Sequence, residues 1–107
     1  MPKFIYLYRG PATSMSDLTP GQGAERMAAF SAWMSKAGPA LVDVGSPFGP
    51  CASVRDDGTE GTPGDLTGYT IVEATDLAAA KALTDGLPFL SERDGTRAVE
   101  IFELLPM

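Results

Sequence analysis

The sequence predicts an α+β fold in which one four-stranded antiparallel sheet carries two helices on a single face. Two observations predict it. First, an extended apolar run, a capped helix and a second extended run occur twice in succession: Lys3–Arg9, Thr19–Ala37 and Ala40–Val44, then Gly68–Ala74, Thr75–Asp85 and Arg97–Leu105. Two strand–helix–strand units within 107 residues make a two-layer sandwich, and that length suits a single domain over 1–107. Second, the strands carry apolar side chains on both faces, which sets what must cover the sheet.

The first strand alternates aromatics (Phe4, Tyr6, Tyr8) with aliphatics (Ile5, Leu7). Both sides suit burial, so it is expected at the centre of the sheet. Gly10-Pro11 stops it, and residues 10–18 form a polar connector. Helix one opens with a capping box: Thr19 as N-cap, Pro20 at the first helical position and Gln22 three residues after the cap. Met27, Phe30, Met34 and Ala37 form its expected apolar stripe, Trp33 sits beside that stripe, and Gly38-Pro39 ends the helix.

Ala40–Val44 reads as a second strand interrupted by one acid, Asp43. Chain breakers dominate 45–64, where Ser53-Val54-Arg55 and Thr59-Glu60 flank Asp56-Asp57-Gly58; an extra hairpin or loop is expected there. Tyr69–Ala74 is the third strand. Thr75-Asp76 caps helix two, with Leu77, Ala80 and Leu83 on its inner face and Gly86 at its end. After Leu87-Pro88-Phe89-Leu90, an Arg93-Asp94-Gly95 turn leads into the last strand. There Val99, Ile101 and Leu105 alternate with Ala98, Glu100, Phe102 and Leu104.

Two helices cover one face of such a sheet. The other is apolar too, and a second copy of the chain is its simplest cover, so a sheet-to-sheet homodimer is expected. Folding of the 45–64 segment over that face is the alternative. A net charge of −6 with scattered basic residues argues against nucleic acid and against anionic membranes. No apolar run approaches the ~18–20 residues that span a bilayer, and nothing at the N-terminus reads as a signal peptide. With Cys51 the single cysteine, no intrachain disulfide can form, and a cytoplasmic location is expected.

The chain contains no histidine, the commonest general acid–base at neutral pH. Asp43 is the one acid with a candidate catalytic role, because an unpaired carboxylate in a strand must be solvated, paired or functional. Arg9, at the end of the neighbouring first strand, is its candidate partner. Met27, Phe30, Trp33 and Met34 either fill the core or line a cavity between helix and sheet, and Tyr69, Phe48 and Phe89 are placed to close it. Ser46 belongs to a short turn that could present backbone N–H groups to a ligand. The candidate pocket is therefore Arg9, Met27, Trp33, Asp43, Ser46, Phe48, Tyr69 and Phe89. Cys51 lacks a base to activate it. Asp56, Asp57 and Glu60 are solvated acids rather than metal ligands, and no cofactor is implied.

Four stretches carry a resemblance to a known family: Phe4–Tyr8, the run Ala37-Gly38-Pro39-Ala40-Leu41-Val42-Asp43-Val44-Gly45-Ser46-Pro47, the run Leu66-Thr67-Gly68-Tyr69-Thr70-Ile71-Val72-Glu73-Ala74, and Gly86-Leu87-Pro88-Phe89 with the closing Leu104-Leu105-Pro106. In that order and spacing the chain resembles the YCII-related proteins, a branch of the dimeric α+β barrel superfamily. The resemblance implies a ferredoxin-like fold and a homodimer whose sheets pack back to back. Some relatives, a chlorinated-hydroquinone dehydrochlorinase among them, imply small-molecule chemistry. It also implies a histidine on helix one and an aspartate just before the Pro-aromatic pair; Met27 and Leu87 stand at those positions here. The expectation is a small-molecule-binding homodimer. The alternative is a proton-transfer or elimination enzyme, lyase- or isomerase-like, that works without that pair.

Overall fold

Hydrogen bonding on both edges of the first strand organises the molecule. In the computed structural model, which describes residues 1–10, 19–90 and 95–106, β1 (Lys3–Arg9) pairs antiparallel with β5 (Leu66–Glu73) and with β6 (Ala98–Leu104). The short β2 (Leu41–Asp43) adds to the far edge of β5, giving the order β2-β5-β1-β6. Helix α1 spans Pro20–Ala37 and α2 spans Leu77–Ala82. The four-stranded antiparallel sheet with two helices is consistent with a ferredoxin-like fold. β3 (Ser53–Val54) and β4 (Glu60–Gly61) form a separate hairpin around the Asp56-Asp57-Gly58 tip. Most of the 10–18 connector and Arg93-Asp94 lie outside the described residues.

The inner face of the sheet is the core. Phe4, Tyr6, Val72 and Thr70 are fully buried there against Trp33, Ala37, Ala80 and Leu87. Both helices meet at Tyr6, whose ring lies 6.4 Å from that of Trp33 on α1 while its hydroxyl donates to the Ala80 carbonyl on α2. The Thr19–Gln22 capping box forms as expected, closing the helix start reciprocally, an arrangement worth about 1 kcal/mol.

Packing rotates α1 away from the expected stripe. Gly23, Trp33 and Ala37 are buried, with Phe30 and Met34 packed beside them, whereas Met27 is 66% exposed. Trp33 takes the inward place because its indole finds a partner there, donating from Nε1 to the Leu83 carbonyl at 2.8 Å. That carbonyl is available because α2 ends early. Beyond Leu83 the chain tightens into three-residue turns: Thr84 N–H bonds Lys81, Asp85 N–H bonds Ala82 and Leu87 N–H bonds Thr84. Helix two is thus shorter than the expected 75–85, and Leu77 is exposed rather than on its inner face.

The outer face carries Ile5, Leu7, Ile71, Phe102 and Leu104, as the alternation of the strands requires. Phe102 is 53% exposed, and no segment of the described chain lies over it. From 45–64, the ring of Phe48 stacks on Tyr69 at 5.9 Å, at the edge of this face. The principal extents are 47 × 38 × 23 Å with a radius of gyration of 15.3 Å, above the ~13 Å usual for this length. No helix among the described residues is long and apolar enough to cross a membrane.

Burial, with the neighbouring Tyr8 second, raises the Tyr6 pKa from 10.0 to about 12. Above the unfolded value the denatured chain ionises while the folded chain does not, so this contribution is intact below pH 10 and is lost as pH rises toward 12. Denaturant melts taken from about pH 8 to about pH 11 should show stability falling over the upper part of that range. Tyr6→Phe should flatten the decline, and an unchanged slope in that variant would contradict the assignment.

Candidate functional site

Where β1 ends, the inner face stops being filled. Tyr8, the last aromatic of that face, meets Phe30 and Arg26 from the first half of α1, the 44–47 turn, the start of β5, and the Leu87-Pro88-Phe89 corner. Between them lie two adjoining cavities of about 350 and about 280 Å³ that share Tyr8, Arg26, Phe30 and Phe89. We treat them as two lobes of one cleft. The first is at the small end of the ~300–1,000 Å³ typical of ligand pockets, a size for one ring rather than a nucleotide. A larger groove of about 1120 Å³ runs between α1 and α2, but charged side chains edge it and no aromatic walls it. Aromatic walls with a few fixed polar groups favour the smaller cleft as a binding site.

Its polar groups are locally determined. Gly45 has φ +80°, and a Cβ there would fall 1.7 Å from the Tyr69 carbonyl oxygen, so only glycine fits. The Asp43 carboxylate accepts from Gly45 N–H at 2.9 Å and closes this turn. The chain then runs beside β5, with Pro47 bridged to Gly68 and Phe48 N–H bonded to the Thr67 carbonyl at 2.8 Å. That course carries Val44, Ser46 and Pro47 into the wall of the cleft.

Tyr8 and Thr70 form its polar core. Their hydroxyl oxygens are 2.6 Å apart, and Thr70 Oγ1 donates to the Val44 carbonyl at 2.9 Å. Burial raises the Tyr8 pKa, with the Thr70 hydrogen bond acting in the opposite sense, so the phenol stays protonated at neutral pH. The Tyr8 ring packs against Phe89 at 5.1 Å, and the Arg97 guanidinium lies 5.6 Å from the Phe89 centroid.

Of the residues expected at a pocket, Ser46, Tyr69 and Phe89 line the first lobe, and Met27 borders the second. The others lie elsewhere. Trp33 is a core residue. Phe48 stacks on Tyr69 outside the cleft. Arg9 is on the outer face, held by Glu100 at 3.1 Å and Asp65 at 2.7 Å, so the expected Arg9–Asp43 pair does not form. Asp43 is exposed; besides Gly45 it accepts from the Tyr69 hydroxyl at 3.2 Å, and its negative charge, with that hydrogen bond second, raises the Tyr69 pKa. The cleft wall begins one residue later, at Val44.

Tyr8, Thr70 and Arg26 were not among the expected pocket residues. A signal for two of them exists in the pattern. Thr70 is the one polar side chain on the Gly68–Val72 side of β5 that must be buried, and Arg26 is one helical turn before Phe30, hence on the same face.

A solved structure with a similar fold is 5-chloro-2-hydroxyhydroquinone dehydrochlorinase from Burkholderia phenoliruptrix AC1100, in complex with 2,5-dihydroxybenzoquinone. It superposes with a TM-score of 0.55 over 98% of this chain and 94% of that one, at 18% identity. The likeness is one of fold. No family model matches the sequence, and no curated protein matches it.

Gly45→Ala adds a methyl group where both the backbone angle and the Tyr69 carbonyl forbid it. The variant should lose at least about 1–3 kcal/mol in denaturant unfolding. Unchanged stability would mean that the turn is not held in this conformation.

Proposed function

We propose that the protein is a YCII-related homodimer of the dimeric α+β barrel type that binds a small, flat, partly polar molecule in the Tyr8–Phe89 cleft. The observation that carries this reading is the cleft itself: an aromatic enclosure on Tyr8, Phe30 and Phe89 with one hydrogen-bonded hydroxyl pair on its wall and an arginine in both lobes. Met27 and Leu87 support it. These positions, where the family resemblance implies a histidine and an aspartate, both line the second lobe. In this reading the second lobe corresponds to the site that the resemblance implies, with apolar side chains at both positions. The dehydrochlorinase of similar fold is complexed with a small quinone, which fits a cleft of this size.

Binding is favoured over catalysis for a chemical reason. Among the described residues the cleft is lined by no carboxylate, thiol or imidazole. Tyr8 with a raised pKa can hold or donate a proton but is a poor base. An elimination or isomerisation enzyme is the second reading, with the substrate's own ionised group supplying the base. A homodimer is supported by the open outer face, where Ile5, Leu7, Ile71, Phe102 and Leu104 form an apolar surface.

Light scattering should give a mass near twice 11.2 kDa, and Phe102→Glu should halve it. A wild-type monomer at micromolar concentration would overturn the dimer. Titration with 2,5-dihydroxybenzoquinone should shift the amide resonances of Gly45, Gly68 and Thr70, and Phe89→Ala should abolish the shifts. Shifts confined to the α1–α2 groove would move the site there instead.

A further inference from the structure

Tyr8 reaches Thr70 because the residue facing it has no side chain. Gly68 is its partner across β1 and β5, and a Cβ there would stand 3.3 Å from Tyr8 Cδ2. The ring lies across the glycine, and its hydroxyl arrives 2.6 Å from that of Thr70, two residues further along the same face. Thr70 has one hydroxyl proton and a carbonyl only accepts, so the 2.9 Å contact with the Val44 carbonyl uses that proton. The contact with Tyr8 then uses the proton of the tyrosine, which burial keeps in place at neutral pH. Tyr6 faces Thr70 across the strands but offers it nothing, because its own hydroxyl is bonded to the Ala80 carbonyl. The result is a relay of fixed direction from Tyr8 to Thr70 to Val44, and all three residues line the first lobe.

Resting on the reading of this cleft as a small-molecule site, we propose that Thr70 sets its specificity. By taking the Tyr8 proton, Thr70 makes the first lobe a site for a ring that carries a hydrogen-bond donor. The ligand's O–H donates to Tyr8 Oη, which keeps a lone pair after giving its proton to Thr70. Its ring lies among Tyr8, Phe30 and Phe89. An isolated tyrosine hydroxyl takes a donor or an acceptor. Here an ether or a ketone sets lone pair against lone pair at Tyr8, and loses its water without replacement. Thr70 is fully buried and acts through Tyr8, so it is a positioning residue.

The test is a nuclear magnetic resonance titration with phenol, anisole and acetophenone, three neutral single rings of which only the first is a donor. Phenol should shift the Gly45 and Gly68 amides, and the other two should bind about tenfold more weakly or worse. Thr70→Ser keeps a hydroxyl in the relay and should keep that preference. Thr70→Val frees the Tyr8 proton for the cleft and should shrink or reverse it, and Tyr8→Phe should erase it. Should the valine variant fail to fold, the serine and phenylalanine variants still decide whether the preference passes through Tyr8. Equal or tighter binding of anisole or acetophenone to the wild type overturns the donor class while leaving the cleft as a binding site. So do cleft shifts from 2,5-dihydroxybenzoquinone with none from phenol. A preference that survives unchanged in folded Thr70→Val or in Tyr8→Phe overturns the role of the relay. The absence of cleft shifts from all four compounds overturns the cleft reading itself.

Discussion

Tyr6 and Tyr8 lie two residues apart on the inner face of β1, and what their hydroxyls bond to divides that face into a closed half and an open half. At Tyr6 the phenol is bonded to the Ala80 carbonyl and the ring leans on Trp33, so one side chain joins the sheet to both helices. One step along the strand, about 7 Å away, neither helix supplies a carbonyl. Tyr8 turns instead to Thr70 on the next strand, and through it to Val44. The space left above that pair is the cleft. Core and site are consecutive stretches of the same strand, so the rigidity of the first positions the second.

That arrangement also explains why the polar groups of the cleft can be buried at all. Among the described residues no buried side-chain nitrogen or oxygen lacks a hydrogen-bond partner. Each lining hydroxyl is satisfied within the protein, so the empty cleft costs little in unmet hydrogen bonds. That self-sufficiency is directional: with their protons used internally, Tyr8 and Thr70 are left as acceptors.

The outer face follows a different logic. Its apolar centre, Ile5, Leu7, Ile71 and Phe102, is bounded at one end by Arg9 with Glu100 and Asp65. In a sheet-to-sheet dimer of the kind proposed, an ion-paired cluster beside an apolar patch contributes register and orientation more than affinity. Tyr69 stands at the same end, bonded to Asp43 and stacked on Phe48, while its strand also forms the cleft wall. The cleft and the outer face therefore share β5 as a common wall.

The elements that the sequence alone determined are those whose signals lie within a few residues. The Thr19–Gln22 capping box, the span of β1, the Asp56-Asp57-Gly58 hairpin tip and the two-faced alternation of β6 all appear where the local pattern puts them. Each depends on neighbours one to four positions away, so the chain carries the whole cause in one place. Tertiary structure decided the rest. Met27 turns outward because the indole of Trp33 found the Leu83 carbonyl 50 positions away. Arg9 chose Glu100 and Asp65 over Asp43 because strand register, not sequence proximity, sets which charges meet. The cleft is of that second kind. Tyr8, Arg26, Thr70 and Phe89 come from four separate elements, and only their packing brings a hydroxyl, a guanidinium and the aromatic rings around one space.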